Sequence, residues 1–213
     1  MLKEPLEVKD LDVNRKNTAL LVIDMVNEFV AKDGNFEVTN ARKMVPDLKR
    51  TINFCRNLDI PIIYFRPINR PNGVDAGPVE IFTPEVLDSE AHAPGEQTEI
   101  YDPISPKEDD IIIDKHRYDG FFETSLDSIL KNGNVEYPII TGTATHICCE
   151  STARSAFFNG YIPIILEDCN GTFDIPDFGW GEKSADLLEE VWFSIAAQNF
   201  GVVTDHETLL ENL

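Results

Sequence analysis

Short apolar runs without polar alternation recur along the chain, and they predict strands that are covered on both faces. The runs are Thr18 to Ile23, Ile60 to Phe65, Ile111 to Ile113, Tyr137 to Ile140, Ile162 to Leu166 and Gly201 to Thr204. Because such runs are typical of parallel sheets, the pattern favours one buried sheet over a half-exposed antiparallel one.

Stretches with helical spacing of apolar residues lie between these runs. They predict helices over Ala41 to Leu58 and Glu182 to Asn199. A shorter helix is predicted after Thr124 or Ser125, either of which could cap it, with Gly133 at its end. The alternation predicts an α/β protein with three layers, α/β/α, and a six-stranded, mainly parallel, Rossmann-like sheet. With 213 residues, we expect a single domain over 1–213.

The segment from Pro67 to Asp110 breaks this rhythm. It carries seven of the thirteen prolines and little periodicity. It also follows a strand, on the side where α/β domains bind ligands. Three interpretations stay open: a meandering surface excursion, a lid over the active site, or an arm between subunits.

The excess of acidic over basic residues limits the classes of partner that this protein can bind. Asp and Glu number 38 against 18 Lys and Arg, a formal net charge of −20. Such a surface repels phosphate backbones and anionic lipid, so we expect neither nucleic acid nor membrane as a partner. The start of the chain lacks the apolar core of a signal peptide, and we expect a cytoplasmic protein.

The four cysteines indicate free thiols. Cys55, Cys148, Cys149 and Cys169 have a spacing that fits neither a disulfide framework nor a zinc site. The apolar neighbourhoods of Cys55 and Cys169 favour buried, inert side chains. We therefore look for thiol chemistry at Cys148.

Three polar residues follow predicted strands, where reactive groups collect in parallel sheets. Asp24 ends the first run, Lys115 follows the third, and Cys148 follows the fourth. A strand, a small-residue turn and a helix would place Cys148 near a helix N-terminus, which favours a thiolate. On that basis we expect a thiol pKa below about 8.5. From the spacing alone, a buried and inert Cys148 remains an alternative.

The chain resembles the isochorismatase-like cysteine hydrolases, a superfamily that includes nicotinamidases, N-carbamoylsarcosine amidases and ureidoacrylate amidohydrolases. The resemblance runs from about residue 15 to the C-terminus, in the order and spacing of that superfamily. It is carried by the segments Val22 to Phe29, Asp114 to Leu130, Gly142 to Arg154, Gly160 to Asp168 and Phe200 to Thr204.

The resemblance implies a catalytic triad: Cys148 as nucleophile, Asp24 as general base, and Lys115 as the third member. It also implies a cis peptide at Thr143–Ala144 and an oxyanion hole formed by the N–H groups of Ala144 and Cys148. Cys149 stands where relatives usually have an aliphatic residue. A homo-oligomer, dimer or tetramer, is a further expectation.

The sequence departs from the family pattern at two places, and the second of them bears on whether the active site holds a metal. His146 stands two residues before Cys148, where relatives often have Asn or Asp. The Asp-x-His metal site of nicotinamidases is absent after Phe65, and no histidine follows it until His92. We therefore expect no metal in the active site and no cofactor.

Five residues are candidates for contact with a small-molecule substrate. They lie just after the base or in a segment that lines the pocket in relatives, and plain core packing is the alternative for the phenylalanines. They are Asn27, Phe29, Arg117, Tyr118 and Phe121.

These features predict a hydrolase that cleaves a C–N bond of a small amide, carbamoyl or ureido compound through a thioester. Two alternatives stay open. One is a metal-dependent nicotinamidase, and the other is a catalytically silent member of the fold that acts as a binding or scaffold protein.

Overall fold

The computed structural model describes residues 4–70, 72–85 and 93–213. Six strands form one sheet in the order β3-β2-β1-β4-β5-β6, and every neighbouring pair is parallel. The strands are β1 Thr18–Ile23, β2 Ile62–Pro67, β3 Ile111–Lys115, β4 Tyr137–Thr143, β5 Ile164–Gly171 and β6 Val202–Thr204. The predicted α/β fold is confirmed, with a sheet that is wholly rather than mainly parallel.

Seven helices are described, and they follow the strands in alternation. They are α1 Asn27–Val30, α2 Ala41–Asn57, α3 Val79–Phe82, α4 Leu126–Asn132, α5 Glu150–Phe158, α6 Ala185–Asn199 and α7 His206–Asn212. Helix α6 begins three residues later than predicted because Ser184 caps it, its side chain accepting a hydrogen bond from the N–H of Leu187. Gly133 caps the end of α4, as predicted.

Two apolar cores lie on opposite faces of the sheet, which gives the three layers. One core joins α2 and α7 to side chains such as Leu20 and Val22 of β1. The other joins α4, α5 and α6 to Leu21 and Ile23 of the same strand. Every residue of β1 is therefore buried, and this explains why its sequence shows no polar alternation.

The described parts of the Pro67–Asp110 excursion pack beside the carboxyl ends of the strands. Helix α3 lies there, and a single antiparallel bridge joins Ile100 to Val26, just after β1. Positions 71 and 86–92, which include His92, fall outside the described residues. No described helix combines the length and the apolar character that crossing a membrane requires.

Strand β5 departs from regular pairing halfway along its length. Ile140 pairs with Ile165 and Gly142 with Asn170, so β4 advances two residues while β5 advances five. The amide of Asn170 bridges this bulge by donating hydrogen bonds to the carbonyls of Ile140 and Leu166. Residues 167–169 therefore do not take part in the hydrogen-bonded pairing between β4 and β5. A bulge of this kind changes the direction in which the side chains of the strand point.

Candidate active site

The carboxyl ends of β1, β3 and β4 bring three reactive side chains to one place. Asp24 follows β1, Lys115 ends β3, and Cys148 lies in a π-helical turn, Thr145–Cys149, between β4 and α5. All three line one cavity. Asp24 has a left-handed φ of 52°, a sparsely populated conformation for a residue other than glycine.

Gly142 is required where β4 ends beside β1. Its φ is +121°, and a β-carbon there would lie 2.0 Å from the carbonyl oxygen of Ile23. A side chain at this position would therefore push β4 away from the residue that precedes Asp24. The close approach sets the distance between the two strand ends that carry Asp24 and the turn of Cys148.

A buried ion pair lies at the base of the cavity. Nζ of Lys115 is 2.8 Å from Oδ2 of Asp24, and the two side chains are 1% and 0% exposed. Among the described residues no partner meets regular hydrogen-bond geometry at either carboxylate oxygen, yet Lys115 and Cys148 are both close enough to Asp24 for hydrogen bonding to affect their pKa values. Nζ also donates a hydrogen bond to the carbonyl of Arg117 at 2.9 Å. Burial lowers the pKa of Lys115, but Asp24 and Cys148 outweigh it and the pKa is raised.

The surroundings of Cys148 raise the pKa of its thiol above the ordinary value. Burial is the largest effect and raises its pKa, the ammonium of Lys115 lowers it, and the carboxylate of Asp24 raises it, so that together they raise the pKa to about 12. The expected pKa below about 8.5 is therefore wrong. That expectation counted the cation and the helix N-terminus and left out desolvation, which here is the largest effect.

Cys149 is a core residue. It is 0% exposed, packs in the core on the α5 side of the sheet, and does not line the cavity. Burial raises the pKa of its thiol well above the ordinary value. Of the two adjacent cysteines, only Cys148 lines the cavity.

Ala144 directly precedes the turn that carries Cys148, and it also lines the cavity. The Thr143–Ala144 peptide is cis, as the resemblance implies. Within the described residues the N–H of Ala144 has no hydrogen-bond acceptor. Thr145 ties the turn to α6, because its hydroxyl donates to Oε1 of Glu189 at 2.8 Å.

The cavity has a volume of about 460 Å³. Apart from the three reactive residues, its wall is mostly apolar and aromatic. The remaining lining residues are Phe29, Phe36, Val38, Pro67, Asn69, Pro78, Val79, Phe82, Thr83, His116, Arg117, Tyr118, Ala144, Ile147 and Phe173.

Three of the five predicted substrate contacts lie in this wall: Phe29, Arg117 and Tyr118. Nη1 of Arg117 donates to the backbone carbonyls of Asp75 and Ala76, and it thereby holds the excursion against the end of β3. Arg117 thus has a structural role beside any contact with substrate, which stays a prediction for all three residues.

The other two predicted contacts lie outside the wall. The side-chain amide of Asn27 donates to the carbonyl of Glu96 at 2.8 Å, so it ties α1 to the excursion. Phe121 packs against Tyr161 with ring centroids 5.8 Å apart. Core packing, the alternative that the sequence left open for Phe121, is the one the structure supports.

Sequence reasoning missed several residues of the wall. Val79 and Phe82 belong to α3 in the excursion, which has no periodic pattern to reveal them. Phe173 follows β5, a strand end that the resemblance covered only to Asp168. His146 contacts Phe173 edge-on and hydrogen-bonds to the hydroxyl of Thr172, so it orients that part of the wall.

The fold and the site together define the class of this protein. It is an α/β protein with a parallel sheet, and a cysteine, a buried carboxylate and a buried lysine lie at the carboxyl edge of that sheet, as in the cysteine hydrolases. The family model described as the isochorismatase domain matches residues 18–208. The chain therefore belongs to the isochorismatase family.

Relatives with assigned activities share about a third of the sequence. Ureidoacrylate amidohydrolase RutB of Caulobacter vibrioides is 30% identical, over 86% of this chain and 95% of its own length. The enzyme of the same name from Yersinia enterocolitica is 32% identical, over 90% of this chain and 86% of its own.

Solved structures show the same fold. A cysteine hydrolase from Pseudomonas syringae pv. phaseolicola superposes with a TM-score of 0.95 and 30% identity, covering 100% of this chain and 98% of its own. N-carbamoylsarcosine amidase from Thermoplasma acidophilum has a TM-score of 0.71 and 26% identity, over 90% of this chain and 97% of its own. The similarity thus extends over almost the whole chain.

Proposed function

We propose that this protein is a cysteine-dependent amidohydrolase that cleaves a C–N bond of a small amide, carbamoyl or ureido compound. The observation that carries the proposal is the buried Asp24–Lys115 ion pair, 2.8 Å apart, in the same cavity wall as the Cys148 thiol. A buried ion pair is expensive to desolvate, so its place beside a thiol favours a catalytic over a stabilising role.

The first half of the reaction uses the neutral thiol. As the sulfur attacks the substrate carbonyl, its proton passes to Asp24, and Lys115 stabilises the negative charge that develops on sulfur. The N–H groups of Ala144 and Cys148 stabilise the oxyanion, and the free N–H of Ala144 supports this role. Collapse of the tetrahedral intermediate breaks the C–N bond, and Asp24 returns the proton to the leaving nitrogen.

The second half releases the acyl group. Asp24, again a carboxylate, takes a proton from water, and the resulting nucleophile attacks the thioester. The carbon–sulfur bond breaks, and the proton returns from Asp24 to Cys148. Lys115 keeps its ammonium charge throughout, which its raised pKa supports.

The wall and the relatives together support the substrate class. A cavity of about 460 Å³ suits a small molecule, and Arg117 offers a cation in its wall. The relatives at about 30% identity are named for a ureido acid, and a structural neighbour is named for a carbamoyl amino acid. Both names describe small compounds with a C–N bond next to a carbonyl.

A substrate panel tests the proposal. Ammonia release would be measured with ureido acids, carbamoyl amino acids, simple amides, biuret and nicotinamide, with Cys148→Ala as the control for contaminating activity. We expect turnover of at least one ureido or carbamoyl compound by the wild type alone. Turnover of nicotinamide only, or of nothing on the panel while the cavity binds these compounds, would contradict it.

Chelation tests the prediction that the reaction needs no metal. The segment after Phe65, where the resemblance places the metal pair of nicotinamidases, begins here with Arg66, whose guanidinium pairs with Asp114 at 2.8 Å. We expect kcat with EDTA to stay within about twofold of the untreated enzyme, because the three reacting groups are all side chains. Loss of turnover that zinc or iron restores would favour the nicotinamidase alternative.

The raised thiol pKa predicts how alkylation of Cys148 depends on pH. Because only the thiolate reacts, a pKa of about 12 means that the rate with iodoacetamide rises about tenfold per pH unit from pH 7 to 10, without a plateau. An ordinary thiol would level off above its pKa of about 8.5. The rate is measured by mass spectrometry of the Cys148 peptide, and a plateau near pH 8 would show that Lys115 outweighs desolvation.

A further inference from the structure

A second cluster of reactive side chains lies away from the cavity, between β5 and α7. Asp168 and Cys169 belong to the bulge of β5, and His206 is the first residue of α7. One ligand atom of each lies within 4.8 Å of the others. None of the three lines the cavity of Cys148.

We propose that Asp168, Cys169 and His206 form a structural binding site for a divalent transition-metal ion of the zinc type. Sulfur, imidazole nitrogen and carboxylate oxygen together are the donor set that zinc takes in proteins. Tetrahedral zinc holds its ligand atoms about 3.3 to 3.8 Å apart, a spacing that a cluster within 4.8 Å reaches with small side-chain shifts.

The bulge is the feature that gathers two of these donors. Neighbouring residues in a regular strand point to opposite faces of the sheet, so Asp168 and Cys169 would ordinarily diverge. Because residues 167–169 leave the ladder, both side chains face His206. Cys169 also lies 3.9 Å from the hydroxyl of Thr51 on α2, so the site lies between α2, β5 and α7.

The charged groups around the three side chains favour a dication. Asp47 lies 3.9 Å from Nε2 of His206, and Arg50 contacts the same nitrogen at 3.1 Å. A thiolate and the carboxylates of Asp168, Asp47 and Glu207 then face one guanidinium and the metal, which leaves one net negative charge. Metal on Nδ1 leaves the proton on Nε2 facing Asp47, an outer carboxylate of the kind that orients zinc-bound histidines.

The contacts that these residues make without a metal show which interactions the ion has to replace. Asp168 accepts hydrogen bonds from the backbone N–H and Nδ1 of His206. The metal takes over the Nδ1 contact and leaves the backbone contact in place. Arg50 moves from Nε2 toward Glu207, which lies 3.4 Å from its Nη1. The side chain of Asp168 is 29% exposed, and this gives the ion its route from solvent.

Cobalt(II) is the probe, because thiolate coordination gives it a near-ultraviolet charge-transfer band and tetrahedral geometry gives visible bands. Titrations use the Cys148→Ser protein, so that the cavity thiol cannot contribute. We expect one equivalent of cobalt to produce both bands, zinc to abolish them, and either metal to raise Tm saturably. Absence of the charge-transfer band would overturn the proposal.

Three further variants, each in the Cys148→Ser protein, separate the ligands from the fold. Cys169→Ser and His206→Gln should each lose the bands and the Tm rise, and Asp168→Asn should weaken binding at least tenfold. The Asp168→Asn side chain keeps an oxygen that accepts a hydrogen bond from the N–H of His206. This variant therefore tests what the carboxylate charge contributes to metal binding, even if the other two variants fail to fold. The matched control Cys55→Ser removes another buried thiol and should bind normally. Equal binding by all four would show that surface carboxylates hold the metal.

Discussion

Replacing Cys148 with alanine lowers kcat by at least about 10⁴-fold and leaves the fold intact. The sulfur is the only protein group in the proposed mechanism that bonds to the substrate carbon, and loss of this nucleophile removes the covalent route altogether. Cys148 is 8% exposed at the wall of a cavity, so a shorter side chain adds little strain to the core. Far-UV circular dichroism and Tm should stay close to those of the wild type.

Cys149→Ala is the matched control, since it removes a thiol one position along the same turn. Cys149 is packed in the core and does not line the cavity, so we expect a loss of stability with kcat within about fivefold of the wild type. Equal loss of turnover in both variants would rule out Cys148 as the single nucleophile. Rates are compared well below the lower Tm, so that unfolding does not imitate inactivation.

The sequence predicts the fold well because the strands are buried on both faces. Apolar runs located all six strands, and β1 was predicted with its observed bounds. The other bounds differ at both ends: β2, β5 and β6 begin one or two residues later than predicted, and β2, β3, β4 and β5 extend beyond the predicted runs, β5 as far as Gly171. The hydrophobic pattern gives no signal over these extensions, because most of their residues are charged or polar, or are glycine or proline.

The reactive groups could be placed from sequence, but their electrostatics could not. Asp24, Lys115 and Cys148 follow strand ends that parallel pairing brings to one edge, and the structure brings them together. The direction of the Cys148 pKa depends on how completely the surrounding elements exclude water, which is a property of tertiary packing. The same limit applies to Asn27 and Phe121, because spacing along the chain does not fix where a side chain on an irregular segment points.

Removing the charge of Lys115 should affect both stability and turnover, and a second substitution separates the two effects. Lys115→Met keeps most of the apolar stem, but it leaves the Asp24 carboxylate buried without its cation, which costs about 3–5 kcal/mol of the free energy of unfolding. Turnover should fall by at least about 10²-fold, because nothing then stabilises the negative charge on sulfur.

The double variant Asp24→Asn/Lys115→Met removes both buried charges. With no charge left to desolvate, its free energy of unfolding by urea should return to within about 1–2 kcal/mol of the wild type, or exceed it. Its turnover should nevertheless stay at the level of Cys148→Ala, since neither a proton acceptor nor a cation faces the thiol. A structural ion pair would give the opposite result: a double variant that regains stability would regain turnover with it. Recovery of kcat in this protein would therefore remove Asp24 and Lys115 from the mechanism.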